Sequence, residues 1–99
     1  MTQLERDIEQ KLRSMVERRG GHCLKFTSPS SGGVPDRIVL LPGGRVIFVE
    51  LKRPKGGELS ALQKWWGRRL LSFGLGYWTI WNRQDLADFE DVVLDEVGA

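Results

Sequence analysis

The sequence predicts a single α/β domain, a small mixed β-sheet flanked by helices, in the order α-β-β-β-α-β-α. Three observations carry this prediction. DRIVLL and RVIFVELK flank Pro42-Gly43-Gly44 and are apolar on alternate residues of both faces, the pattern of hairpin strands covered on both sides. Two other segments repeat apolar residues at three- and four-residue steps, which is the helical period. A run rich in aromatic and β-branched residues, YWTIW at 77–81, supplies a further strand.

Each element has local signals. Leu4, Ile8, Leu12, Met15 and Val16 mark a helix from residue 4 to about 19, with Thr2 as N-cap and Glu5 as its capping-box partner. Gly20 and Gly21 end it. HCLKFT, residues 22–27, reads as a short strand, and SPSSGGVP as a polar loop. RPKGGEL is a basic connection to a second helix from residue 60 to about 73. Leu62, Trp65, Trp66, Leu70 and Phe73 give that helix a wide apolar stripe, and Gly74 closes it. An acidic helix over about 83–94, apolar through Leu86, Phe89, Val92 and Val93, completes the order. Ninety-nine residues suffice for one domain, 1–99.

Composition narrows the function classes. No apolar run approaches the ~18–20 residues that cross a bilayer, and the charged start MTQLERDIEQ has no signal-peptide core. A single cysteine, Cys23, fits a reducing compartment, so the cytoplasm is expected. One Cys and one His argue against structural zinc, leaving oxygen ligands for any metal. Net charge is +2, yet residues 84–99 hold six of the 13 acids and no Lys or Arg. Residues 1–83 therefore carry 15 bases against 7 acids. A basic body of this kind suits a polyanionic partner.

The hairpin holds the candidate chemistry. With Gly43 at the centre of a three-residue loop, residues whose numbers sum to 86 face each other: Leu41 with Arg45, Ile38 with Phe48, Asp36 with Glu50. Paired residues share a face, and Lys52, two beyond Glu50, points the same way. Two carboxylates set opposite each other repel, and a hard divalent cation between them would remove the repulsion. Lys52 beside it could orient or deprotonate water and stabilise charge on a phosphate. A salt-bridge cluster, Glu50 with Lys52 and Asp36 with Arg53, satisfies the same parity.

Pro35-Asp36 followed after fourteen residues by Glu50-Leu51-Lys52 resembles the PD-(D/E)xK nuclease core, which has a restriction-endonuclease-like fold. Its surroundings are more specific. KFTSPSSGGVPDRIVLLPGGRVIFVELKRPKGGELSALQ is similar to the VRR-NUC (virus-type replication-repair nuclease) family, and LERDIEQKL extends the likeness over about residues 2–81. At this length the chain looks like the stand-alone bacteriophage version. The resemblance implies Asp36, Glu50 and the Leu51 carbonyl as metal ligands, Lys52 as catalytic lysine and Gln63 as supporting glutamine. It also implies a glutamate from the first helix. Glu5 and Glu9 lie one turn apart on one face, and the family's Glu-x-x-Ile spacing favours Glu5. Both glutamates have structural alternatives, Glu5 as the cap of Thr2 and Glu9 as a partner of Arg13. Ser60-Ala61-Leu62-Gln63 equally forms a capping box.

The implied function is a Mg²⁺- or Mn²⁺-dependent endonuclease hydrolysing DNA phosphodiesters. Lys25, Arg37, Arg53, Lys55, Lys64, Arg68 and Arg69 are candidate phosphate contacts, which position DNA without reading its sequence. No base-reading module is visible, so structure-selective cutting of branched or junction DNA is expected. The family resemblance implies a homodimer, with the loop before Asp36 as a route for exchanging segments and Holliday-junction resolution as one activity. Two rivals remain: a non-catalytic nucleic-acid-binding module, and a small interaction protein working through its acidic helix. His22 and Cys23 read as a surface residue and a buried hydrophobe. The four tryptophans read as core, with one left free to stack on a base or a subunit.

Overall fold

The computed structural model describes residues 2–52 and 58–95. Helix α1 (Gln3–Glu17) precedes strands β1 (His22–Lys25), β2 (Arg37–Leu41) and β3 (Arg45–Leu51). Helix α2 (Ala61–Ser72), strand β4 (Gly76–Ile80) and helix α3 (Arg83–Phe89) follow, and α3 runs into a π-helical segment, Glu90–Asp95. The sheet order is β1-β2-β3-β4, with the first two pairings antiparallel and β3-β4 parallel. This is the mixed sheet flanked by helices that the sequence predicts. Among the described residues, no helix is long and apolar enough to cross a membrane.

The hairpin forms in the expected register. Leu41 faces Arg45 and Ile38 faces Phe48, and the ladder ends at Arg37 opposite Val49. Its three-residue loop requires left-handed backbone at Gly43 (φ 85°) and Gly44 (φ 76°), which glycine adopts without a Cβ clash.

The two faces of the sheet are covered unequally. Val39, Ile47, Val49 and Ile80 pack with Ile8, Leu12 and Val16 of α1 and with Leu86 and Phe89 of α3 into one core. On the other face, α2 lies over β4, where Gly67 allows close approach: a Cβ there would stand 2.6 Å from the Tyr77 ring. Leu24 and Leu40 stay partly open, at 49% and 37% exposure. The double cover expected from sequence is therefore partial.

Two expectations need correction. The stripe on α2 is not buried: within the helix only Gly67 and Leu70 are, while Leu62, Trp65 and Phe73 are about half exposed or more. A glycine contact narrows the packed face to a strip that hydrophobic spacing alone overstates. At the C-terminus, Leu94 is buried and Val92 exposed. The π-helical turn widens the helix beyond Phe89, so the 3.6-residue period no longer applies and Leu94 joins the core.

Candidate active site

Glu50 ends the buried part of β3 on the α2-covered face, paired with Thr79 of β4. Its residue exposure is 6%, low for a carboxylate. Asp36 lies just before β2, its side chain 42% exposed, and its Oδ1 accepts from the Leu51 backbone N–H at 3.3 Å. The Asp36 backbone carbonyl accepts from Phe26 N–H (2.9 Å) and from Arg37 Nη1 (2.9 Å), which pins the residue between β1 and β2. Burial, then the nearby Asp36 carboxylate, push the Glu50 carboxyl from 4.5 up to about 7, against the opposing pull of Lys52 and Gln63.

Lys52 follows β3, its backbone N–H donating to the Ile80 carbonyl at 2.9 Å, so β4 fixes where this residue starts. Gln63 does both jobs that its sequence context suggests. Its Oε1 accepts from Ser60 N–H (2.8 Å) while its backbone N–H donates to Ser60 Oγ (3.1 Å). Its Nε2 donates to Glu50 Oε1 at 3.0 Å. The capping box thus orients the amide that holds Glu50.

The donor set suits a hard cation: two carboxylates at the mouth of the hairpin, one of them buried and its ionised form disfavoured by burial and by the other. Among the described residues no third acidic, His or Cys side chain joins them. Leu51, the last residue of β3, meets the site through its backbone N–H, which donates to Asp36.

No protein-family model matches the chain. Fifty residues are 54% identical to "Putative nuclease p44" of Acyrthosiphon pisum secondary endosymbiont phage 1, half of this chain and 54% of that protein. The chain thus spans about half the length of the curated relative it matches. A solved VRR_NUC domain superposes with a TM-score of 0.82 over 93% of this chain and 99% of that one, at 21% identity. The chain has the VRR-NUC fold.

Glu9 of the first helix is joined to Asp36 through Arg37. Glu5 closes the capping box of α1: its Oε1 accepts from Thr2 N–H and its own N–H donates to Thr2 Oγ1, both at 3.1 Å. One turn on, Glu9 pairs with Arg37, whose Nη1 lies 3.3 Å from Asp36 Oδ2. The chain Glu9–Arg37–Asp36 ties α1 to the site. Sequence spacing could not show it, because it needs the contact of α1 with β2.

Arg37 is consequently not placed to meet a phosphate. Its side chain is 4% exposed, and its Nε has no hydrogen-bond partner among the described residues. Lys25 sits opposite Arg37 in the ladder and so on the sheet face away from Glu50. Lys64, Arg68 and Arg69 are exposed on α2. Arg53 and Lys55 lie outside the described residues. Sequence reasoning missed Tyr77 and Thr79, which share the face of Glu50. Thr79 Oγ1 donates to Tyr77 Oη at 3.3 Å, and burial raises the Tyr77 hydroxyl's pKa. The parallel pairing of β4 that aligns them has no local sequence signal.

Proposed function

We propose that the chain is a nuclease that hydrolyses DNA phosphodiesters at Asp36, Glu50 and Lys52 with Mg²⁺ or Mn²⁺. The observation that carries this reading is the buried Glu50 set against Asp36, with Gln63 bonded to it. The match to a phage protein named as a nuclease and the VRR-NUC fold support it.

Asp36, Glu50 and the Leu51 carbonyl would hold the cation, which polarises the phosphate and lowers the pKa of water. Gln63 fixes the Glu50 oxygen it bonds and so orients the carboxylate beside Asp36. Lys52 supplies positive charge where negative charge builds on the scissile phosphate, and its ammonium can exchange a proton with the attacking water. Arg37 keeps Asp36 aimed while Glu9 neutralises the buried guanidinium. Neither needs to touch DNA.

In this reading residues 1–99 form one domain acting as an endonuclease inside the host cell. It prefers branched DNA, with four-way junctions among its substrates. It works as a homodimer, with the loop over 28–34 as the segment available for exchange. The exposed Leu24 on edge strand β1 and Leu40 on the adjoining β2 support pairing on that side. The test is incubation with labelled duplex, flap and four-way junction DNA, with Mg²⁺, Mn²⁺ or chelator. The reading expects cation-dependent cuts within strands, fastest on branched DNA; cutting that persists in chelator contradicts it.

A further inference from the structure

Much of the exposed apolar surface of the chain gathers on α2, and it is mixed with positive charge. Leu62, Trp65 and Leu71 are about half exposed, and Phe73 is 60% exposed. The helix contains Lys64, Arg68 and Arg69 and no acid. Trp65 is braced edge-on against Trp66, with ring centroids 5.1 Å apart at 87°. Trp66 is itself tied down by its Nε1 donating to the Gly32 carbonyl at 3.1 Å. Trp65 therefore stands as a rigid ridge between two shallow hollows. One, about 450 Å³, is lined by Ala61, Leu62 and Trp65. The other, about 210 Å³, is lined by Trp65, Arg68, Arg69 and Ser72, and Arg69 is steadied over the Phe73 ring at 4.8 Å.

This surface lies on the same helix as a residue of the site. Gln63 bonds Glu50. Two residues on, Trp65 is turned about 200° around the axis to the outer side of α2, so a strand held there runs one helix diameter, ~10 Å, from Glu50. The acids of α3 and the π-helical segment, by contrast, belong to elements packed on the opposite face of the sheet. Glu90 and Asp95 there are neutralised by Arg19 at 2.9 and 2.7 Å. The α2 side presents cations and an aromatic ridge together, the combination that binds single-stranded nucleic acid through phosphate contacts and base stacking.

We propose that Trp65 is a stacking platform for an unpaired nucleobase of the DNA cut at Asp36 and Glu50, with Arg68 and Arg69 taking adjoining phosphates. The proposal rests on the nuclease reading and names its substrate class: DNA carrying unpaired nucleotides beside the cut. Bases within a duplex are already stacked and cannot reach the ring. A second copy packed α2 against α2 is the poorer occupant, because it would desolvate three cations on each helix with no acid on either to pair them.

The test is fluorescence anisotropy in chelator, so that binding is read without cleavage. The probes are a labelled oligothymidylate, the same strand with abasic spacers in place of its bases, and a blunt duplex. Trp65→Ala should weaken oligothymidylate binding ~10-fold and leave the abasic strand and the duplex unchanged. Trp65→Phe should restore binding to within about threefold, since a smaller ring still stacks. The proposal is overturned if wild type binds abasic and natural strands alike, or if Trp65→Ala weakens all three probes equally or none. It is also overturned if Trp65→Ala changes the sedimentation of the free protein, which would mark an interface between copies. Failure of the nuclease reading shows elsewhere, as wild type that cuts no DNA with Mg²⁺ or Mn²⁺.

Discussion

Glu50 carries a conflict that the rest of the site is built around. Burial and Asp36 both oppose its ionisation, and its pKa stands at about 7 against 4.5 for a free carboxyl. The folded chain therefore binds this proton more tightly than the unfolded chain does. The ionised form costs nothing below the unfolded value, and the cost grows as pH rises through 7. In chelator, the melting temperature of wild type should fall between about pH 5 and about pH 8 relative to Glu50→Gln, which cannot ionise. Added Mg²⁺ or Mn²⁺ should cancel the fall, because a cation binding only the folded state stabilises it. Thermal melts of both proteins across that range check it; parallel profiles would show that Glu50 is not strained. That Asp36, Glu50 and Lys52 gather at one end of the hairpin was legible from strand parity, since the Gly43-centred loop fixes the register and register fixes the face. Their reading as a metal site, rather than a salt-bridge cluster, came from the family resemblance. The burial of Glu50 was not, because it depends on α2 and β4.

At the level of elements, the clamp between α1 and β2 is the least sequence-evident feature. Arg37 follows Asp36 in a basic chain and reads as a phosphate contact, yet it is buried against Glu9. Removing one partner of a buried pair strands the other, whereas removing both often costs little. Arg37→Met should thus lose about 3 kcal/mol of stability, and Arg37→Met with Glu9→Leu should recover part of it. Urea unfolding measures both; a double variant no more stable than the single would show that the pair does not couple. The helix caps, by contrast, were readable: Thr2 and Ser60 each close a capping box with the residue three positions on. Cap chemistry is local, so sequence suffices. The half-exposed stripe of α2 was misread because Gly67, not the aromatic residues, sets its contact with the sheet.

Taken whole, the molecule divides its apolar cover unequally between two sides. The α1–α3 side is packed and its acids are partly neutralised by Arg18 and Arg19. The α2 side holds the site, the exposed Lys64, Arg68 and Arg69, and the open sheet residues Leu24 and Leu40. If those leucines join two copies, wild type sediments as a dimer and Leu24→Ser with Leu40→Ser as a monomer. Identical sedimentation of the two would place the dimer contact elsewhere or remove it. The acidic C-terminal stretch was visible in composition, but its ion pairs with the end of α1 are tertiary and required the fold.

The central claim is that Asp36, Glu50 and Lys52 form one cation-dependent hydrolytic site. Its most direct measurement is the single-turnover cleavage of labelled branched DNA by wild type and Lys52→Ala in Mg²⁺ or Mn²⁺. Melting temperatures of the two proteins serve as the control for folding. Loss of positively charged proton-transfer groups lowers such rates by roughly 10²–10⁴-fold. The account predicts a drop of that size for Lys52→Ala with its melting temperature kept, and no cutting by either protein in chelator. A Lys52→Ala protein that cuts at the wild-type rate would contradict it.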